Sequence, residues 1–132
     1  MTKKVVTVEM DDTLSLVKEI FDNVCFHHLL VVDNQQLQGV ISDRDLLKAL
    51  SPNIGTAAET TKDLATLNKK VHQIMSRKPI VLNEANNVYD AIEVFIEETI
   101  SCIPVVNAEN KPVGIISWRD ILKALANSRK KS

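Results

Sequence analysis

The stretch Gly39-Val-Ile-Ser-Asp-Arg-Asp-Leu-Leu-Lys-Ala-Leu50 is written a second time as Gly114-Ile-Ile-Ser-Trp-Arg-Asp-Ile-Leu-Lys-Ala-Leu125, with nine of twelve positions identical. A chain that repeats a unit usually stacks that unit against its copy, so this doubling constrains the fold more than any single residue does. The 132 residues, 45% of them hydrophobic, suffice for one compact domain with a real core. Sixteen basic residues against seventeen acidic ones leave no global field to draw the chain to nucleic acid or to an anionic membrane. No apolar run is long enough to span a bilayer, and Met1-Thr2-Lys3-Lys4 has no signal-peptide pattern, which together predict a cytoplasmic address. Cys25 and Cys102 are too far apart in sequence for a zinc site and too few for a disulfide framework, so they read as reduced, buried thiols.

In chain order, the β-branched run Lys4 to Glu9 predicts a strand. Asp12 or Thr13 then caps a helix over about 13–24, with Leu14, Val17, Ile20 and Val24 on its buried face. Leu29 to Val32 and Leu37 to Ile41 are apolar strands at hairpin distance, each with both faces to cover, and Asp43 to Leu50 predicts a helix that Ser51-Pro52 stops. Residues 53–70 read as a connecting loop with room for one helical turn. Val71 to Ser76 leads into a strand at Pro79 to Leu82, after which the order returns: a helix capped by Asn86 or Asn87, strands at Ile103 to Val106 and Val113 to Ile116, and a helix from Trp118 to Ala126. The halves superpose at a shift of 74 residues before the second turn and 75 after it. The expected organisation is a repeat over 1–52, a loop over 53–70, a repeat over 71–127, and a basic tail over 128–132 that holds Arg129, Lys130 and Lys131.

On these residues the chain resembles a tandem pair of cystathionine β-synthase (CBS) domains. The resemblance rests on the two apolar strands Leu29 to Val32 and Ile103 to Val106, the two Gly-x-x-Ser-x-Arg-Asp segments at Gly39 and Gly114, the lead-in Val71-x-x-Ile-Met75, and the order of elements in each half. It implies an α+β fold of two β-α-β-β-α repeats packed sheet to sheet about a pseudo-twofold axis. It further implies a homodimer, and two clefts between the repeats that take adenosine-containing ligands such as AMP, ADP, ATP or S-adenosylmethionine. No cofactor is implied, and any regulatory output would pass through an unidentified partner protein.

The chemistry of such clefts follows from the repeated residues. An ionised carboxylate accepts charge-assisted hydrogen bonds from both hydroxyls of a ribose, which makes Asp45 and Asp120 the candidates. Ser42 and Ser117 stand where a strand gives way to a helix, beside free backbone amides suited to ribose or phosphate. Ser-x-x-Asp at a helix start is equally a capping box that needs no ligand. Gly39 and Gly114, lacking a Cβ, admit a close neighbour or a ligand. His27 and His28 precede the first apolar strand, where the family often has a basic pair for phosphate; they read equally as packing residues at a strand start. Ser101-Cys102 stand in their place in the second half, so the first half-site is the one expected to take a phosphorylated ligand. Arg44, Arg119, Arg77, Lys78 and Lys4 are further cations. Cys25-x-His27-His28 lacks the additional ligands of a metal site, and adjacent strand residues point to opposite faces.

In the resemblance, Val5, Val6, Pro79 and Ile80 line the adenine slots, with Ile41 and Ile116 near their base. The chain begins too late to carry a first-repeat equivalent of Val71-x-x-Ile-Met75, which leaves the edge beside Val5 without its lead-in. Trp118, in the place of Asp43, would plug a cleft, pack on a partner or lie at a dimer contact. With three glycines, no phosphate loop, no nucleophile elbow and no metal-ligand cluster, the chain does not read as an enzyme. Two functions remain: a stand-alone sensor of an adenosine-type ligand, or a structural dimerisation module in which Ser-x-x-Asp only caps helices.

Overall fold

The fold is that of a computed structural model describing residues 5–23 and 27–130, without the side chains of Arg129 and Lys130. Lys4, Val24, Cys25 and Lys131, to which the sequence assigned a strand start, a helix end, a thiol and a tail charge, lie outside the described residues. The architecture is mixed α+β with two sheets. Two compact units divide it, one made of Val6–Asn34 and Gln38–Lys78, the other mainly of Pro79 onward together with Gln35–Leu37.

The amino-terminal unit contains β1 (Thr7–Glu9), α1 (Leu14–Asn23), β2 (His28–Asp33), β3 (Gln36–Ser42), α2 (Asp43–Ala49), α3 (Thr61–Leu64) and β4 (Ser76–Arg77). Its sheet has the order β1-β2-β3-β4, with β1 parallel to β2 and β4 antiparallel to β3. Leu29 to Val32 are all buried, as an apolar run covered on both faces should be. The turn between β2 and β3 is two residues, Asn34 (φ 51) and Gln35 (φ 67), the left-handed pair that suits the twist of a hairpin. Leu14, Val17, Ile41, Leu46, Val71 and Met75 close the core.

Residues 53–78 extend the core of the first unit. The connecting segment is partly ordered: Thr60 caps α3 through a hydroxyl that accepts from the Asp63 amide, and a 3-10 turn follows at Ala65–Asn68. The lead-in Val71-x-x-Ile-Met75 packs on the first unit: Val71 donates its amide to Asp12 O, His72 to Met10 O, and Val71 and Met75 are buried beside Ile41. Burial of Val71 and Met75 is what decides this, since each fully buried side chain of that size stabilises by about 1.5–3 kcal/mol. The edge beside β3 is thereby closed by a later part of the chain.

The carboxy-terminal unit contains β5 (Leu82–Asn83), α4 (Val88–Glu97), β6 (Cys102–Val106), β7 (Pro112–Ser117) and α5 (Trp118–Lys130), with β5 parallel and β7 antiparallel to the central β6. Asn87 caps α4, accepting from the amides of Tyr89 and Asp90. The longer second turn is built on Asn107, whose side chain accepts from the amides of Glu109 and Lys111, with Asn110 in the left-handed region (φ 61) and an irregularity in the ladder between Val105 and Val106. The core joins Leu82, Ala91, Phe95, Ile103 and Ile121.

The strand expected over Pro79 to Leu82 is reduced to Leu82–Asn83, and Pro104 explains why. In the first unit the Leu30 amide donates to Val6 O, extending the parallel pairing before β1. Pro104 occupies Leu30's place in the second repeat and has no N–H to give, so the pairing starts later. The basic tail is also corrected: nothing in Ala-Asn-Ser-Arg-Lys stops a helix, and α5 runs through Lys130.

Candidate functional site

The two Ser-x-x-Asp segments fold alike because each lies where the last strand of its hairpin turns directly into a helix. At α2, Ser42 Oγ accepts from the Asp45 amide (3.0 Å) and Asp45 Oδ2 accepts from the Ser42 amide (2.9 Å). At α5, Asp120 Oδ2 accepts from the Ser117 amide (2.9 Å) and from Ser117 Oγ (3.2 Å). Both are capping boxes, worth roughly 1 kcal/mol each to their helices. In both, the contact is made by Oδ2 of a half-buried carboxylate at the head of a helix, where the positive end of the macrodipole favours an acidic side chain.

The surroundings of the two boxes differ. Beside Ser42, Asp43 Oδ2 lies 2.9 Å from His27 Nδ1, and the Asp43 amide donates to His27 O. The hydrogen bond from His27 holds the Asp43 carboxyl below its ordinary range. Burial lowers the pKa of His28, an effect that Asp43 only partly offsets, which favours the neutral ring. The first half-site therefore presents a carboxylate where a phosphate would need positive charge. Arg44 is exposed beside it, and Arg77 donates to His72 O.

In the second half-site Trp118 stands where the first has Asp43. The ring packs on Phe95 of α4 with centroids 4.9 Å apart, inside its own unit. A cavity of about 240 Å³ opens in the same unit, its apolar wall made by Leu82, Val88, Val105, Ile116 and Ile121 and its polar rim by Asn83, Glu84, Asn86, Asn87 and Asp120. This apolar slot with a few convergent polar groups is the usual form of a small-molecule site, though smaller than the roughly 300–1,000 Å³ common for drug-sized ligands. Of the residues expected to bind ligand, it brings Asp120 and Ile116 together. Ile41 is fully buried in the core of the other unit, Val5 and Val6 are half-buried, and Pro79 and Ile80 lie outside β5. Arg119 is exposed on α5. Asn83 and Asn87 read in sequence as turn or cap residues only, and it is the fold that brings them to the rim beside Asp120.

Gly39 is accounted for without a ligand. A Cβ there would lie 2.6 Å from Ser76 O and 2.9 Å from Met75 Sδ, so the residue is small because β4 crosses it. Cys102 is buried, which pushes its thiol up to about 12 and leaves it unreactive. Among the described residues there is no cluster of metal-binding side chains, and no helix is long and apolar enough to cross a membrane.

A family profile for the CBS domain matches residues 1–52 and 71–127. A CBS domain-containing protein of Dictyostelium discoideum is 29% identical over 127 residues, covering 95% of this chain and 87% of its own. Protein MJ1225 of Methanocaldococcus jannaschii is 29% identical over 129 residues; its crystal structure superposes with a TM-score of 0.81 over 97% of this chain, which spans 48% of that one. By sequence the chain spans 46% of MJ1225 and 37% of a second relative from the same organism, less than half of either. The structure of CBSX2 from Arabidopsis thaliana in complex with AMP superposes at 0.79 with 25% identity, over 98% of this chain and 94% of that one. The CBS domain pair of protein MJ0100, in complex with 5′-methylthioadenosine and S-adenosyl-L-methionine, superposes at 0.75 with 26% identity, over 97% and 93%. With both of its repeats matched, the chain belongs to the CBS-domain family.

Proposed function

We propose that the chain is a regulatory module that binds an adenosine-containing ligand (AMP, ADP, ATP or S-adenosylmethionine), works as a cytoplasmic homodimer, and passes the bound state to a partner protein. The observation that carries the reading is the apolar cavity lined by Asp120: its carboxylate would accept from the ribose hydroxyls, and the apolar wall would take the base. The complexes of CBSX2 with AMP and of the MJ0100 pair with S-adenosyl-L-methionine support an adenosine-type ligand. Asp43 weighs against phosphate at the first half-site, so the second is the one assigned the ligand here. A ligand shifts the arrangement of the protein only as far as it prefers one arrangement over another.

A second reading, a dimerisation module without ligand, is favoured by the fact that both Ser-x-x-Asp boxes are satisfied as caps. Titration calorimetry and thermal melts with AMP, ADP, ATP and S-adenosylmethionine separate the two. A ligand present at a hundred times its dissociation constant stabilises the fold by about 2.7 kcal/mol. No heat and no shift with any of the four at millimolar concentration would leave the structural reading standing.

A further inference from the structure

The cavity of the carboxy-terminal unit has a rim of one charge sign. Glu84, in the turn after β5, and Asp120, at the head of α5, both line it, and among the described residues no arginine, lysine or histidine does. Behind them Asp90 accepts from the Asn87 amide and from Asn86 Nδ2 (3.0 Å), which holds its carboxyl below the ordinary range. The helix heads that could offer amides to a phosphate are already occupied. At α4 the amides of Tyr89 and Asp90 donate to Asn87 Oδ1 and that of Asn87 to Asp90; at α5 those of Ser117 and Asp120 are taken within the capping box. Arg119 and Lys123 are exposed on α5 and lie outside the lining, and Lys111 pairs with Glu109. The repeat does not require an acid at position 84, since Met10 holds the equivalent place in the first unit.

We propose that this rim selects the 5′ substituent of the adenosine ligand: an uncharged or cationic group, such as a thioether or a sulfonium, is accepted and a phosphate is disfavoured, with Glu84 the residue that discriminates. A phosphate binds where bases or free amides meet it, and here it would meet carboxylates instead. Setting like charge against the wrong ligand is one of the two routes to specificity, and a sulfonium gains from the same field. Asp120 serves the ribose in the proposed function, on which this inference rests, so Glu84 is the carboxylate left for the substituent. The turn that carries it is fixed, because Asn83 Oδ1 accepts from the Ala85 amide and Asn86 Oδ1 from the Asn83 amide, each at 2.9 Å.

Titration calorimetry of the whole chain tests it, with 5′-methylthioadenosine, S-adenosylmethionine, AMP and ATP as probes, the last two with and without magnesium. At low salt the thioether and the sulfonium should bind roughly tenfold or more tightly than either nucleotide, and added salt should narrow the gap by screening it. Glu84 is exposed in a turn, so its variants should fold, which circular dichroism checks. Glu84→Gln and then Glu84→Lys should each raise the affinity for AMP by about two- to fivefold, the range for one exposed charge pair, and leave 5′-methylthioadenosine unchanged. AMP or ATP binding to wild type as tightly as S-adenosylmethionine, or an AMP affinity indifferent to Glu84→Lys, overturns the selection while the adenosine site stands. Binding of none of the four overturns both.

Discussion

At the scale of single residues, Gly39 and Gly114 carry the same letter in the repeated stretch, and the sequence alone left a neighbour and a ligand as equal reasons for Gly39. The structure decides for the neighbour, because a Cβ at Gly39 meets the carbonyl of Ser76, a backbone atom that cannot rotate away. Gly39→Ala should therefore cost about 1–3 kcal/mol, read as a drop in chemical-denaturation stability, and should leave ligand affinity at the Asp120 site unchanged. His28 gives a pH dependence with a defined sign. Its folded pKa lies below the ordinary 6.5 because burial disfavours the charged ring, so the unfolded chain binds the proton more readily. The stability contributed by the neutral ring is present above pH 6.5 and is lost as pH falls below it. Asp43, lowered from 3.8, adds a loss only at still more acid pH. Denaturation midpoints measured from pH 7.5 to 5 should fall, and His28→Gln should flatten that slope. That adjacent histidines face opposite ways was legible in the sequence; that His27 lies exposed against Asp43 while His28 is the half-buried one was not.

At the scale of elements, nearly every helix and strand was legible, because both kinds declare themselves by local pattern: caps such as Asn87, apolar spacing in α1 and α4, and the apolar runs of β2 and β6. What escaped depends on partners distant in sequence. Val71 to Met75 leads into the second repeat in sequence and buries Val71 and Met75 in the core around Ile41, a placement that no local signal announces. The short β5 was hidden for the same reason: Pro104 is twenty-two residues away from Leu82, and only strand pairing brings its missing N–H to bear. Replacing it tests this directly. In Pro104→Leu the new amide should donate toward Ile80, as Leu30 donates to Val6, and hydrogen exchange should find that amide protected. Fast exchange there would mean that something other than Pro104 ends the pairing.

At the scale of the molecule, the doubled stretch correctly announced two repeats, and the residues that break the symmetry turned out to carry the functional argument. Asp43 brings a carboxylate to the first half-site, whereas in the second Trp118 packs on Phe95 and Asp120 lines a cavity. The sequence reading weighed the halves the other way, by the nearness of His27 and His28, because neither the Asp43 contact nor the burial of His28 can be read from spacing. The capping role is common to both boxes, so truncating either acid should cost its helix the same small amount, roughly 1 kcal/mol. The ligand role proposed at the cavity is assigned to Asp120 alone. The most direct measurement is titration calorimetry of Asp45→Ala and Asp120→Ala against whichever of the four adenosine compounds wild type binds most tightly. The account predicts that Asp120→Ala loses tenfold or more in affinity, the loss of one charge-assisted contact of about 1.5–3 kcal/mol, while Asp45→Ala binds as wild type does. Equal affinity in both variants, or a loss confined to Asp45→Ala, would contradict it.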